Sequence, residues 1–133
     1  MGYLLDTNIC IYLIKERPPL VLKNLTSKQP THVGISSVTL AELQFGVEKS
    51  QFVDKNRTAL TLLTSSLQVL SFDSNAAEHY GDIRAHLEKK GQIIGPMDLL
   101  IAGHARSLHW VLVTNNIKEF KRVPHLDVEN WAK

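Results

Sequence analysis

Three acids stand where apolar chemistry alone does not place them. Asp6 ends the apolar run of YLLDTN, and a second apolar run, Ile9 to Ile14, begins three residues later. Glu42 is the only charge in VTLAELQFGV, four residues after Val38 and three before Phe45, on the stripe that helical spacing predicts to be buried. Asp98 follows Gly95 and Pro96 and opens DLLIAGHA in line with Ile101, Ala102 and Ala105. A carboxylate taken out of water costs several kcal/mol unless it is paired or binds a cation. No Lys or Arg lies immediately beside any of the three. Carboxylates gathered without cations repel and raise one another's pKa values, and a divalent metal is the simplest reconciliation. Oxygen donors select Mg²⁺ or Mn²⁺ rather than zinc.

Each acid also has an ordinary reading. Asp6 fits a turn, with Thr7 or Asn8 capping a following helix. Glu42 fits a side chain leaning out of its helix toward Lys49. Asp98 fits a first-turn acid favoured by the helix dipole, worth roughly 0.3 to 1 kcal/mol. A further polar group follows WVLVT: Thr114, Asn115, Asn116 and, one helical turn beyond Asn116, Glu119. The six histidines, His32, His79, His86, His104, His109 and His125, show no metal-ligand spacing and read as surface or core. The single cysteine, Cys10, sits in an apolar helical pattern, which excludes a disulfide framework or a thiolate metal site and leaves a core residue.

What must position these residues is an alternation of strands and helices. Tyr3 to Leu5 reads as a strand and Thr7 to Glu16 as a helix stopped by Pro18 and Pro19, with a second helix through Leu20, Leu22 and Leu25. His32 to Ser36 is the next strand, Ser36 or Ser37 caps a helix over VTLAELQFGVEKS, and Asp54 starts another carrying Leu60, Leu62, Leu63 and Leu67. Val69 to Phe72 reads as a strand. SNAAEHYGDIRAHLEKKG follows as a helix with Ala76, Tyr80, Ile83 and Leu87 on one face and Gly91 as its stop. A loop, a helix from about Met97 to Leu108, the strand WVLVT, a turn NNIKEF and a weak strand near Leu126 to Val128 complete the chain. The unalternated runs YLL and VLVT indicate a mostly parallel sheet covered on both sides, an α/β/α sandwich. Such sheets work at the carboxyl ends of their strands. A doubly wound sheet of this kind can gather Asp6, Glu42 and Asp98 in one pocket.

A chain of 133 residues fits one domain spanning 1–133. No linker composition or internal repeat divides it. The absence of a basic-plus-apolar leader and of a membrane-length apolar run points to the cytoplasm. Net charge is only +2, but setting Asp6, Glu42, Asp98 and Glu119 aside leaves nine acids against 15 basic residues. An acidic metal pocket in a basic surround suits a phosphodiester substrate. Lys15, Arg17, Lys49, Lys89, Lys90, Lys118, Lys121 and Arg122 are the basic candidates.

The segments LLDTNICIYLIK, SSVTLAELQFG, IGPMDLLIAGHA and VLVTNNIKEF, in this order, together resemble the PIN-domain ribonucleases of the VapC toxin family over essentially the whole chain. Carried over by position, Asp6, Glu42 and Asp98 match that family's catalytic acids, and Thr7 and Asn8 the helix-cap pair beside the first. The family commonly has a further acid in a T-x-D pattern after the fourth strand. Here Thr114, Asn115 and the neutral Asn116 stand there, with Glu119 as the substitute carboxylate. The resemblance implies one or two Mg²⁺ or Mn²⁺ ions, water attack on RNA, and products with 5′-phosphate and 3′-hydroxyl ends. It further implies a structured RNA substrate, with initiator tRNA cut in its anticodon loop as first candidate, inhibition by a cognate antitoxin, and a homodimer.

Three other readings compete. A haloacid-dehalogenase-type phosphatase needs a second Asp where Asn8 stands. A receiver domain needs a Lys ending its last strand, which VLVTNN lacks. A PIN-like RNA-binding module weakened in catalysis by the neutral Asn116 is the non-enzymatic alternative.

Overall fold

The computed structural model describes residues 2–133. Five short parallel strands, β1 (Tyr3–Leu5), β2 (Val33–Ser36), β3 (Gln68–Leu70), β4 (Val111–Val113) and β5 (Val128–Glu129), form one sheet in the order β3-β2-β1-β4-β5. Seven helices connect them: α1 (Thr7–Lys15), α2 (Pro19–Thr26), α3 (Ser37–Glu48), α4 (Val53–Ser65), α5 (Ser74–Lys89), α6 (Pro96–Leu108) and α7 (Ile117–Phe120). The expected α/β/α sandwich is therefore present, and its sheet is wholly parallel. The segment NNIKEF, expected as a turn, forms the single helical turn α7, and His32 belongs to a 3₁₀ turn, Pro30–His32, before β2.

Strand alternation builds two cores from adjacent residues. Leu5 points into a cluster with Ile9, Cys10, Leu13, Val21, Ile35, Leu43, Val47 and Leu60, the layer of α1 to α4. Leu4 points the other way, onto Ile83, Leu87, Leu99, Ile101, Ala102 and Phe120 of α5, α6 and α7. A period of two residues along β1 thus covers both faces of the sheet. α5 ends as the sequence predicts: Gly91, at φ 64°, sits in the left-handed region, and Gln92 N–H returns to Leu87 O at 2.9 Å. α6 packs so tightly on α5 that a Cβ on Gly103 would lie 2.8 Å from Tyr80 N. No helix among the described residues is long and apolar enough to cross a membrane.

The chain leaves β1 toward one neighbour, β2, and returns to the other, β4, after crossing to the opposite layer. β1 and β4 therefore flank the point where the winding reverses, and the crevice beyond their carboxyl ends is the place such sheets offer to ligands.

Candidate active site

Asp6 follows β1 directly and sits in that crevice, where its backbone N–H donates to Val113 O at 2.9 Å. Its carboxylate caps α1 by accepting from Ile9 N–H at 2.9 Å, so the cap is Asp6 itself and neither Thr7 nor Asn8. The expectation of a Thr or Asn cap fails because the chain turns one residue earlier, with Asp6 in the extended conformation at φ −77° and ψ 173°. Asn8 is exposed. Thr7 is freed for another partner: its Oγ1 donates to Glu42 Oε1 at 2.6 Å, joining α1 to α3.

Glu42 is half-buried, but not on the stripe expected for it. The inward face of α3 is Thr39, Leu43 and Val47, and Phe45 is 65% exposed. The run Val38, Glu42, Phe45 instead borders a hollow of about 780 Å³ shared with Thr7, Ile11, Lys49 and Met97. Helical spacing identifies two apolar stripes on α3, and the sheet takes the one led by Thr39.

Asp98 lies in the first turn of α6, after Gly95 and Pro96. Its carboxyl is held above the usual range first by burial, then by the negative charges of Glu119 and Glu42. Glu119 of α7 is thus a neighbour of Asp98. Thr114, fully buried, follows β4 directly; its Oγ1 accepts from Asn116 N–H at 2.9 Å. Asn116 precedes α7 without capping it by its side chain. Asn115 Nδ2 donates to Tyr12 Oη at 2.6 Å, a partnership across the crevice that no sequence signal marked.

Burial and mutual repulsion govern the electrostatics of these acids. Asp6, 4% exposed, has its pKa pushed up to about 6. Burial is the main cause, and Asp98 and Glu42 add to it against the favourable Thr114 hydroxyl and Ile9 N–H. The ion pairs formed among the described residues, Arg57 with Glu48, Arg84 with Glu88 and Arg106 with Asp82, involve none of these four acids. As placed, no three His, Cys, Asp or Glu side chains among the described residues converge closely enough to hold one ion. The donors fit a divalent cation in kind, being hard carboxylate oxygens unbalanced by any ion pair, while Glu42 is drawn to Thr7.

Lys15 lines a hollow of about 250 Å³ beside Glu42 and Thr7, and Lys49 lines the larger one. Arg17, Lys118 and Lys121 are exposed, and Arg122 Nη1 donates to Ile93 O at 3.3 Å. Cys10 is fully buried, and burial pushes its thiol far above the range of a nucleophile.

A family model described as the PIN domain matches residues 3–126. The chain is 49% identical over 135 residues to Ribonuclease VapC2 of Rickettsia felis, covering 100% of each. It is 46% identical over 132 residues to the tRNA(fMet)-specific endonuclease VapC of Shigella flexneri, covering 99% of each. A crystal structure of VapBC2 from Rickettsia felis bound to a promoter DNA fragment superposes with a TM-score of 0.92 at 48% identity, covering 98% of this chain and 99% of that one. DNA-bound VapBC from Salmonella typhimurium superposes with a TM-score of 0.93 at 43% identity, covering 98% of each chain. The chain belongs to the PIN-domain family, a family of nucleases, and within it to the VapC ribonucleases. PIN-domain nucleases generally use divalent metal ions.

Proposed function

We propose that this protein is the endoribonuclease toxin of a toxin-antitoxin pair and that it hydrolyses structured RNA with Mg²⁺ or Mn²⁺ at Asp6, Glu42 and Asp98. The observation that carries the reading is the buried Asp6 carboxyl, raised to about 6 in the company of Asp98 and Glu42 and outside every ion pair of the described residues. When bound, a divalent ion supplies a lowered pKa for water and charge stabilisation at the scissile phosphate. The residues do the rest. Asp6, Asp98 and Glu42 would hold the ion once drawn together by it, and Glu119 would add a fourth carboxylate from α7 in place of the neutral Asn116. Thr7 orients Glu42, and Thr114 favours the charged form of Asp6. The Asp6 carboxyl would have to be ionised to serve as a ligand, so its raised pKa would couple ion binding to loss of its proton. Neither a nucleophilic side chain nor the RNA 2′-hydroxyl is needed, so products carry 5′-phosphate and 3′-hydroxyl ends.

Lys15, Arg17, Lys49, Lys118, Lys121 and Arg122 would bind the phosphate backbone around the pocket. The Shigella relative's name makes initiator tRNA the first substrate to try. The VapBC structures make a cognate antitoxin the expected partner, and the family resemblance alone implies a homodimer. The test is brief induction of this chain followed by sequencing of RNA ends: new 5′-phosphate ends within one tRNA species are expected, and an unchanged set of ends with folded protein contradicts the reading. The neutral Asn116 favours a second reading, a PIN-like RNA-binding module with weakened catalysis, which predicts RNA binding without new ends.

A further inference from the structure

His104 is 1% exposed and lies on α6, the helix that also bears Asp98. Its Nδ1 is 2.8 Å from Ser36 Oγ, which also accepts from Val38 N–H at 3.0 Å as the cap of α3. The ring meets the edge of Phe72, 5.6 Å between centroids at 80°. Phe72 N–H in turn donates to Ser37 Oγ at 3.1 Å. The imidazole is thus clamped to the start of α3 from two sides, at the carboxyl ends of β2 and β3.

The placement along the two helices is the point. His104 stands six residues after Asp98, and Glu42 stands six residues after Ser36. Six helical residues span about 9 Å. Asp98 feels the charge of Glu42 at one end of this pair of rods. The bond between His104 and Ser36 ties the other end. α3 and α6 pack directly on each other; Asp98 and Glu42 repel at one end, so the bond between His104 and Ser36 at the other end helps fix how one helix lies across the other. A hydroxyl has one proton and two lone pairs, so Ser36 keeps its cap while bonding either tautomer of the ring.

We propose that His104 is a positioning residue: its bond to Ser36 locks the helix bearing Asp98 to the helix bearing Glu42 and so sets the separation of the two carboxylates. The proposal rests on the reading of Glu42 and Asp98 as working acids. A slack strut leaves the fold and the RNA surface in place but lets the acids drift, and displacements near 1 Å matter greatly in a site of this kind.

The experiment measures Mn²⁺ binding to purified full-length protein by the electron paramagnetic resonance of free Mn²⁺, together with kcat and KM on RNA. His104→Phe keeps the ring's shape against Phe72 and loses the bond. It is expected to bind Mn²⁺ about tenfold more weakly, the low end for groups that orient metal ligands, with kcat reduced and KM unchanged. His104→Asn, whose amide occupies the place of Nδ1, is expected to recover most of the affinity. Asp98→Asn is run in parallel. Loss of Mn²⁺ binding in Asp98→Asn with wild-type affinity in His104→Phe overturns the strut alone. Wild-type affinity in Asp98→Asn overturns the site reading beneath it. Where His104→Phe does not fold, ¹⁵N spectra of the wild-type imidazoles decide: a shift at His104 on adding Mg²⁺ supports the coupling, and an unmoved resonance overturns it.

Discussion

Thr7 Oγ1 donates to Glu42 Oε1 at 2.6 Å, so the second residue after the first strand holds an acid 35 positions away. The bond joins the first turn of α1 to α3 beside the hollows that Thr7 and Glu42 both line. A hydrogen bond to a charged group contributes roughly 1.5 to 3 kcal/mol, enough to decide which rotamer Glu42 adopts. Thr7→Val keeps the shape and removes the donor. RNA cleavage is expected to fall at least tenfold with a melting temperature within a few degrees of wild type, and Thr7→Ser to restore cleavage. Full activity in Thr7→Val would show that Glu42 needs no such hold.

Asp6 makes the metal-free protein less stable as pH rises. Its folded-state pKa, about 6, exceeds the ordinary 3.8. The native state therefore binds the proton more tightly, and stability falls as pH rises from about 4 through 6. The shift corresponds to about 3 kcal/mol at full ionisation. Asp6→Asn, which can still cap α1, is expected to melt higher than wild type at pH 7.5 in EDTA, with the gap closing toward pH 4. A gap independent of pH would contradict the assignment. Mn²⁺ is expected to raise the melting temperature of wild type and not of Asp6→Asn.

Glu119 and Asn116 can be ranked directly. Glu119→Gln is expected to weaken Mn²⁺ binding and slow cleavage, because the neighbour of Asp98 loses its charge. Asn116→Asp, restoring the family's T-x-D acid, is expected to rescue part of that loss. Unchanged affinity and rate in Glu119→Gln would make it a surface residue beside a three-acid site.

The basic residues around the pocket are expected to act on binding alone. Replacing Lys118, Lys121 and Arg122 by Ala should raise KM with little change in kcat, and should flatten the salt dependence by about one unit of slope per lost phosphate contact. A fall in kcat at saturating RNA would place one of them at the chemistry.

Much of this molecule was legible in residue order, for identifiable reasons. YLL and VLVT are unalternated because both faces of their strands are covered, and Gly91 ends α5 because only a left-handed residue fits there. Asp6 and Asp98 were visible as charges at apolar seams. Glu42 does not lie on the stripe that its spacing predicts to be buried: α3 carries two apolar stripes, and spacing alone does not say that the sheet covers Thr39, Leu43 and Val47 while Phe45 stays 65% exposed. The cap at Asp6 was missed because Asp, Thr and Asn are all good caps, and the choice depends on where the strand's last backbone bond falls. The contacts between His104 and Ser36 and between Tyr12 and Asn115 join residues 68 and 103 positions apart, beyond the reach of any local pattern.

The central claim is that Asp6, Glu42 and Asp98 form one divalent-metal pocket that cuts RNA. The most direct measurement is RNA cleavage by purified protein with Mg²⁺ or Mn²⁺, with EDTA, and by Asp98→Asn checked for folding by circular dichroism. Metal-dependent cleavage with 5′-phosphate ends, abolished by EDTA and by Asp98→Asn, is the predicted result. Normal cleavage by a folded Asp98→Asn protein, or cleavage undiminished in EDTA, would contradict the account.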